Sequence, residues 1–292
     1  YEIRNCDWSS DVCSSDLMVW FAAFLVVVTV AAVVPVWVEP RYVVEGSTAL
    51  LAVNIGGVTV LTFATLVYFV RQRDRLQQQS DDLLHNIFPD EIVRRLKADN
   101  GMVADQFDSA SVLFADVVDF TPLSARMMPS ELVGLLNDVF STFDRLVAEL
   151  GLEKIKTVGD EYMVAAGVPV PRDDHASLLA ELALRMRDHV AAESFDGHEI
   201  RLRIGINSGP VVAGVIGTHK FAYDLWGDAV NTASRMESEG VAGSIQLSTA
   251  TYELIRDAFV CEPRGVITVK GKGEMEAYFL VARRSDPAPD RR

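Results

Sequence analysis

Cysteine is scarce in this chain. Of three in 292 residues, Cys6 and Cys13 sit in the opening segment, so Cys261 stands alone in the body of the chain. That excludes a disulfide framework or a zinc spacing there and fits a reducing compartment. Positive charge is also in short supply: 27 Lys and Arg stand against 41 Asp and Glu, a net charge of −14. An acidic balance argues against the basic face that nucleic-acid binding needs. A polyanionic substrate would therefore be held by locally placed cations and metal. No internal repeat or long low-complexity run appears.

What the chain does have is apolar length. With 49% hydrophobic residues and a mean hydropathy of +0.18, it is too apolar for a plain soluble domain, which points to membrane segments joined to a soluble one. Residues 1–16 mix Trp8, Ser and Asp without periodicity and start without Met; they read as a non-native leader, with the native N-terminus expected to be missing. Residues 17–38 carry no charge and are long enough to cross a hydrocarbon core of about 30 Å. A cleaved signal peptide is the competing reading, but 47–70 follow as a second uncharged span, which favours a membrane domain fragment over 17–70 with two transmembrane helices. Arg71, Arg73 and Arg75 come directly after the second span, which places the C-terminal side in the cytosol by the positive-inside rule.

Residues 71–100 read as a transducer. Phe69, Leu76 and Leu83 are seven apart, as in a short parallel coiled coil, with a plain solvated linker helix as the bland alternative. Pro89 restarts the helix, and Ile92, Val93 and Leu96 recur at helical spacing. The soluble domain, 101–284, then reads as strand 111–117, helix 129–150, hairpin 152–167, helix 175–192 and strands 200–206 and 211–216. Helix 228–239, strand 244–247, helix 249–257 and strands 264–270 and 276–282 follow. The core order is βαββαβ, an α+β, ferredoxin-like sheet expected to carry its helices on one face. Residues 285–292 read as a disordered tail.

Two carboxylates stand out. The apolar run Ser111-Val112-Leu113-Phe114-Ala115 ends on Asp116, and the hairpin around Gly159 lifts Asp160 to its tip. Strict alternation would put Lys154 and Lys156 on one face of the hairpin. Either Asp alone is an ordinary turn or cap residue; paired, they suit a hard cation that keeps open positions for substrate phosphates. Asp119 and Glu161 beside them read as solvent-facing.

Phe114-Ala115-Asp116-Val117-Val118-Asp119-Phe120-Thr121, Lys154-Ile155-Lys156-Thr157-Val158-Gly159-Asp160 and Tyr223-Asp224-Leu225-Trp226-Gly227-Asp228-Ala229-Val230-Asn231-Thr232-Ala233-Ser234-Arg235-Met236 resemble, in order and spacing, the signature blocks of class III nucleotide cyclases. The chain is most similar to membrane-anchored bacterial adenylate cyclases, multi-pass cell-membrane proteins that often have six spans and a cytoplasmic catalytic domain. The resemblance implies conversion of ATP to 3′,5′-cyclic AMP and pyrophosphate, with two Mg²⁺ or Mn²⁺ per site held by Asp116 and Asp160. It implies that backbone N–H groups at Phe120 and Thr121 face a phosphate and that Arg203 and Lys270 grip the β and γ phosphates. Lys156 and Asp224 would read the adenine base, Asn231 would orient the ribose, and Arg235 would steady charge developing on the α-phosphate. Lys272 reads as solvated. Without their partner blocks, Lys156 would be an exposed strand lysine and Asn231 with Arg235 a surface couple.

The same resemblance divides the residues between two subunits. One gives Asp116, Asp160 and Arg203, the other Lys156, Asp224, Asn231, Arg235 and Lys270, so the expected partner is a second copy in a head-to-tail homodimer. No general base is evident among the five His. Two alternatives remain: a guanylate cyclase, against which Lys156 and Asp224 speak, and a catalytically silent membrane receptor or scaffold that uses the fold to dimerise. A palm-like enzyme making cyclic dinucleotides would show a Gly-Gly-acidic-acidic-Phe hairpin, which Val158-Gly159-Asp160-Glu161-Tyr162 does not match.

Overall fold

The computed structural model describes residues 47–284 except 86, 99–102, 194, 196–197 and 218–220. The leader, the first expected span and the tail lie outside the described residues. The chain divides into two units, Tyr1–Gln77 and Gln78–Arg292.

The second expected span falls on helix α1 (Ser47–His85), 39 residues long. Its segment Asn54–His85 is the one stretch, among the described residues, long and apolar enough to cross a membrane. Val60, Leu61, Phe63 and Leu66 are exposed along it. The hydroxyls of Thr59, Thr62 and Thr65 donate to carbonyls four residues back at 2.7, 2.7 and 2.8 Å, which leaves no side-chain donor of theirs unpaired in an apolar medium. Phe69, Leu76 and Leu83 are exposed on this continuous helix. Pro89 does restart the chain: α2 (Asp90–Ala98) follows, with Ile92 and Val93 buried.

The second unit is built on one mixed sheet. Its elements are β1 (Ala104–Val117), α3 (Phe120–Ser124), α4 (Pro129–Glu149), β2 (Glu153–Val158), β3 (Glu161–Ala166), α5 (His175–Ala192), β4 (Leu202–Ile216), β5 (Ala222–Trp226), α6 (Asp228–Ser238), β6 (Ile245–Ser248), α7 (Thr249–Ile255), β7 (Phe259–Val269) and β8 (Gly273–Arg283). The sheet order is β2-β3-β1-β4-β6-β8-β7, with β5 paired to β4. The first four strands of that order, with α4 and α5 as crossovers, are the expected ferredoxin-like βαββαβ unit. β6 joins β4 in parallel through α6, and the β7–β8 hairpin completes the sheet.

Helices cover both faces, not one. Leu135, Val139 and Phe143 of α4 and Leu179, Leu182 and Met186 of α5 pack with Leu113 and Val164 on the first face. On the second, Ile92 and Val93 of α2 and Ala229 and Ala233 of α6 pack with Val112, Phe114, Met163 and Ala165. The central strands are therefore apolar on both sides, which is why 111–115 read as a continuous run rather than an alternation. The strands expected over 200–206 and 211–216 are one strand, β4. Its polar and Gly residues Asn207, Ser208 and Gly209 look like a break in sequence but continue the ladder with β1.

At Gly205 two elements approach closely: a Cβ there would lie 2.0 Å from the Glu237 backbone nitrogen of α6. A main-chain atom cannot swing aside as a side chain can. Gly205→Ala is expected to destabilise the second unit by about 3 kcal/mol, read as a lowered denaturation midpoint; an unchanged midpoint would show that α6 shifts freely.

Candidate functional site

The second face carries the chemistry. Asp116 continues the alternation of Val112 and Phe114 on that face, at the end of β1. Opposite it in the ladder is Arg203 of β4, whose Nη2 donates to Asp116 Oδ2 at 2.7 Å and whose Nε donates to Glu237 Oε1 at 2.9 Å. Glu237 is buried on α6, with its side chain 6% exposed. Burial works against the charge on Arg203, and the two carboxylates hold it charged. Glu237 is pushed up by burial to about 7, against the pull of Arg203.

Asp160 sits in the turn between β2 and β3, where Gly159 takes φ +65°. Burial, a hydrogen bond with Asp116 and repulsion from it push the Asp160 carboxyl up to about 6. Two carboxylates sharing one position in this way fit a divalent cation, which would relieve the repulsion. Among the described residues no group of three or more His, Cys, Asp or Glu is placed to hold a metal ion. Glu161 is not the solvent-facing residue expected: it is half-buried, and burial followed by the nearby Asp116 raises its pKa. Asp119 is exposed as expected, with its side chain 74% accessible and Arg201 at 3.5 Å.

Lys156 owes its direction to a bulge. Lys154 pairs with Val164 and Lys156 with Met163, so Ile155 is an extra residue in β2 and the alternation shifts. Lys154 and Lys156 therefore point to opposite faces, contrary to strict period two. Lys154 lies 5.0 Å over the Tyr162 ring and 2.7 Å from Asp144 of α4. Lys156 reaches Asp224 of β5, Nζ to Oδ2 2.5 Å. Asp224 is further fixed by the Leu225 N–H, which donates to its Oδ1 at 2.8 Å.

Asn231 is exposed and Arg235 half-buried on α6, one helical turn apart. Neither side chain makes a hydrogen bond among the described residues. Lys270 is exposed in the β7–β8 turn. Lys272 is exposed as expected, with its Nζ paired to Asp228 Oδ2 at the start of α6. Phe120 and Thr121 open α3, the short helix that follows Asp119. Phe120 packs against the first core, and the Thr121 carbonyl accepts from Ser124 Oγ at 2.9 Å.

The structure thus joins Asp116, Asp160 and Arg203 in one group and Lys156 with Asp224 in another; among the described residues no hydrogen bond or ion pair links the two. A cavity of about 820 Å³ between α2 and the base of the hairpin contains none of these residues. Two participants escaped the sequence reading. One is strand β5, which presents Asp224. The other is Glu237, which falls in the buried stripe of α6 four residues after Ala233; an acidic residue in an apolar stripe is the available signal for a buried partner.

A family model described as the adenylate and guanylate cyclase catalytic domain matches residues 102–282. An adenylate cyclase of Mycobacterium tuberculosis is 45% identical over 261 residues, covering 85% of this chain and 58% of the relative; the chain thus spans little more than half of that relative. The crystal structure of the guanylate cyclase domain of RhGC from Catenaria anguillulae in complex with GTP is 38% identical with a TM-score of 0.61, covering 62% of this chain and 100% of that one. The adenylyl cyclase CyaB from P. aeruginosa is 30% identical with a TM-score of 0.59, covering 63% and 98%.

Proposed function

Because the chain belongs to the adenylate and guanylate cyclase catalytic domain family, we propose that it converts ATP to 3′,5′-cyclic AMP and pyrophosphate. In this reaction the ribose 3′-oxygen bonds to the α-phosphorus, the bond from that phosphorus to the β-phosphate bridge breaks, and the 3′-hydroxyl proton leaves.

The choice of ATP rests on one observation, the Lys156–Asp224 pair at 2.5 Å. A lysine only donates and an aspartate only accepts. In the orientation the family resemblance implies, Lys156 faces ring position 1 and Asp224 faces position 6, and adenine answers both, with an acceptor at N1 and a donor amine at N6. Guanine presents the reverse at those two positions, N1–H and O6, so this orientation disfavours it. A base entering this site exchanges one charged partner for each group and leaves neither unpaired.

Asp116 and Asp160 are the residues that would hold Mg²⁺ or Mn²⁺. Two such ions would supply a Lewis acid for the 3′-hydroxyl and countercharge for the triphosphate and departing pyrophosphate. Arg203, anchored by Glu237, presents a fixed guanidinium beside them for the β and γ phosphates, with Lys270 reaching from the partner copy. Arg235 stabilises charge on the α-phosphate and Asn231 aligns the ribose. Neither makes a side-chain hydrogen bond among the described residues, which leaves both available to a ligand. The division into two unlinked groups supports a head-to-tail homodimer with two equivalent sites. Helix α1, uncharged over 47–70 and carrying exposed Val60, Leu61, Phe63 and Leu66 there, supports a membrane anchor. A guanylate cyclase is the second reading, favoured by the guanylate cyclase domain among the similar structures.

The test is cyclic nucleotide production by the full chain in detergent, given ATP or GTP with Mn²⁺ over a range of protein concentrations. Cyclic AMP from ATP is expected, with specific activity rising as dimers form. Preferential cyclic GMP would reassign Lys156 and Asp224. No product from a folded dimer would point to the silent receptor.

A further inference from the structure

The face of β4 turned toward α6 carries, at every second position, Arg203, Gly205, Asn207 and Gly209. The two glycines let the helix lie directly on the strand: a Cβ at Gly209 would meet the Ala229 Cβ at 3.3 Å, and one at Gly205 would strike the α6 backbone. A contact made of glycine has no side-chain ridges, so it does not by itself fix where along the strand the helix stops. The two polar residues act at its ends. Arg203 holds Glu237 near the C-terminus of α6, and Asn207 Nδ2 donates to the Ala229 carbonyl in the first turn at 2.9 Å.

The spacings match. The four residue steps from Arg203 to Asn207 rise about 13 Å, and the eight helical steps from Ala229 to Glu237 rise about 12 Å. The helix therefore runs antiparallel to β4, pinned at both ends, with Asn231 and Arg235 between the pins. Gly227, the residue before α6, supplies no side-chain cap; the ties at this end come from other elements, the Asn207 amide from β4 and Lys272 Nζ, paired with Asp228, from the β7–β8 turn.

Asn207 is held in turn. It is 5% exposed, and its Oδ1 accepts from Ser248 Oγ at 2.6 Å, which fixes the amide so that Nδ2 faces the helix. Ser248 ends β6, and from there a buried chain passes through Thr251 (3.4 Å) and Ser208 (3.0 Å) to Ser111 (2.6 Å) and His175 Nδ1 (2.7 Å). Burial lowers the pKa of His175, favouring the neutral ring. Apolar residues would fill this volume without the desolvation that six buried polar side chains undergo. The arrangement is explained if the orientation of one amide matters.

We infer that Asn207 is a positioning residue: its amide bond to the Ala229 carbonyl fixes the axial register of α6 on β4, and with it the placement of Asn231 and Arg235. The catalytic part of this inference rests on the proposed cyclase reaction; the register itself does not.

Two measurements on the full chain in detergent test it, with Asn207→Ala and the milder Ser248→Ala, which leaves the amide but removes what orients it. The first is amide hydrogen exchange, which needs no activity. Residues 228–233 are expected to exchange at least tenfold faster in Asn207→Ala and to a lesser degree in Ser248→Ala, with α5 unchanged. The second is steady-state kinetics: kcat is expected to fall about tenfold to a hundredfold in Asn207→Ala, since a displacement of about 1 Å can have that effect, with KM within threefold. Combined with Asn231→Ala, the Asn207→Ala change should add little, because both act through one helix. Unchanged exchange in α6 overturns the proposal, as does a full multiplicative effect in the double variant. If Asn207→Ala does not fold, the Ser248→Ala exchange pattern decides. A wild-type chain without cyclase activity overturns the proposed function, and the exchange comparison still decides the register.

Discussion

Asp116→Ala is expected to lower cyclic nucleotide formation by about a thousandfold while the protein stays folded. The carboxylate lies at the end of β1 with its side chain 19% exposed, and it fills no part of either core. Its removal leaves Arg203 still bonded to Glu237, so no buried charge is orphaned. The loss should therefore appear in turnover and in metal dependence, not in the unfolding midpoint. Asp160 loses its repelling neighbour in this variant, so its carboxyl should return toward the ordinary range, yet a lone carboxylate cannot do the work of the pair. Turnover of the full chain with Mn²⁺, beside its thermal unfolding curve, checks this. Activity within tenfold of wild type would remove Asp116 from the metal site.

The second large effect concerns the base. In the double variant Lys156→Glu with Asp224→Asn, each polar group is exchanged for its complement: the Glu accepts from guanine N1–H, and the Asn amide donates to O6 while its carbonyl keeps the Leu225 N–H. The kcat/KM for ATP is expected to fall at least about a hundredfold and GTP to become the preferred substrate, in line with the rejection that mismatched buried polar groups produce. Parallel kcat/KM measurements on both nucleotides decide it. Unchanged preference for ATP would mean that the base is read elsewhere.

Much of this was legible in the sequence because it is carried by local chemistry. The end of β1 at Asp116, the turn at Gly159, the helix carrying Asn231 and Arg235 and the restart at Pro89 all follow from periodicity and turn residues within a few positions. What the sequence hid depends on neighbours far along the chain. Asn207-Ser208-Gly209 looked like a loop because these residue types favour turns, and only pairing with β1 on one side and α6 on the other makes them strand. The surface ion pair of Lys272 was hidden because its partner, Asp228, is 44 residues away. Glu161 looked exposed because nothing local brings Asp116 beside it. The second layer of helices was missed because burial on both faces removes the alternation that would have announced one dry face and one wet one.

The extra residue at Ile155 lets two lysines two positions apart serve opposite faces of β2. Were the strand regular over the same length, Lys156 would share the face of Lys154, and the amine now beside Asp224 would lie on the Tyr162 side of the sheet. Taking Ile155 out would instead make the two lysines neighbours in plain alternation, each still opposite its present partner, Val164 or Met163. Spacing and bulge therefore belong together in this hairpin: a sequence that keeps both lysines but straightens the strand would lose the contact with Asp224 without changing a single residue that makes it.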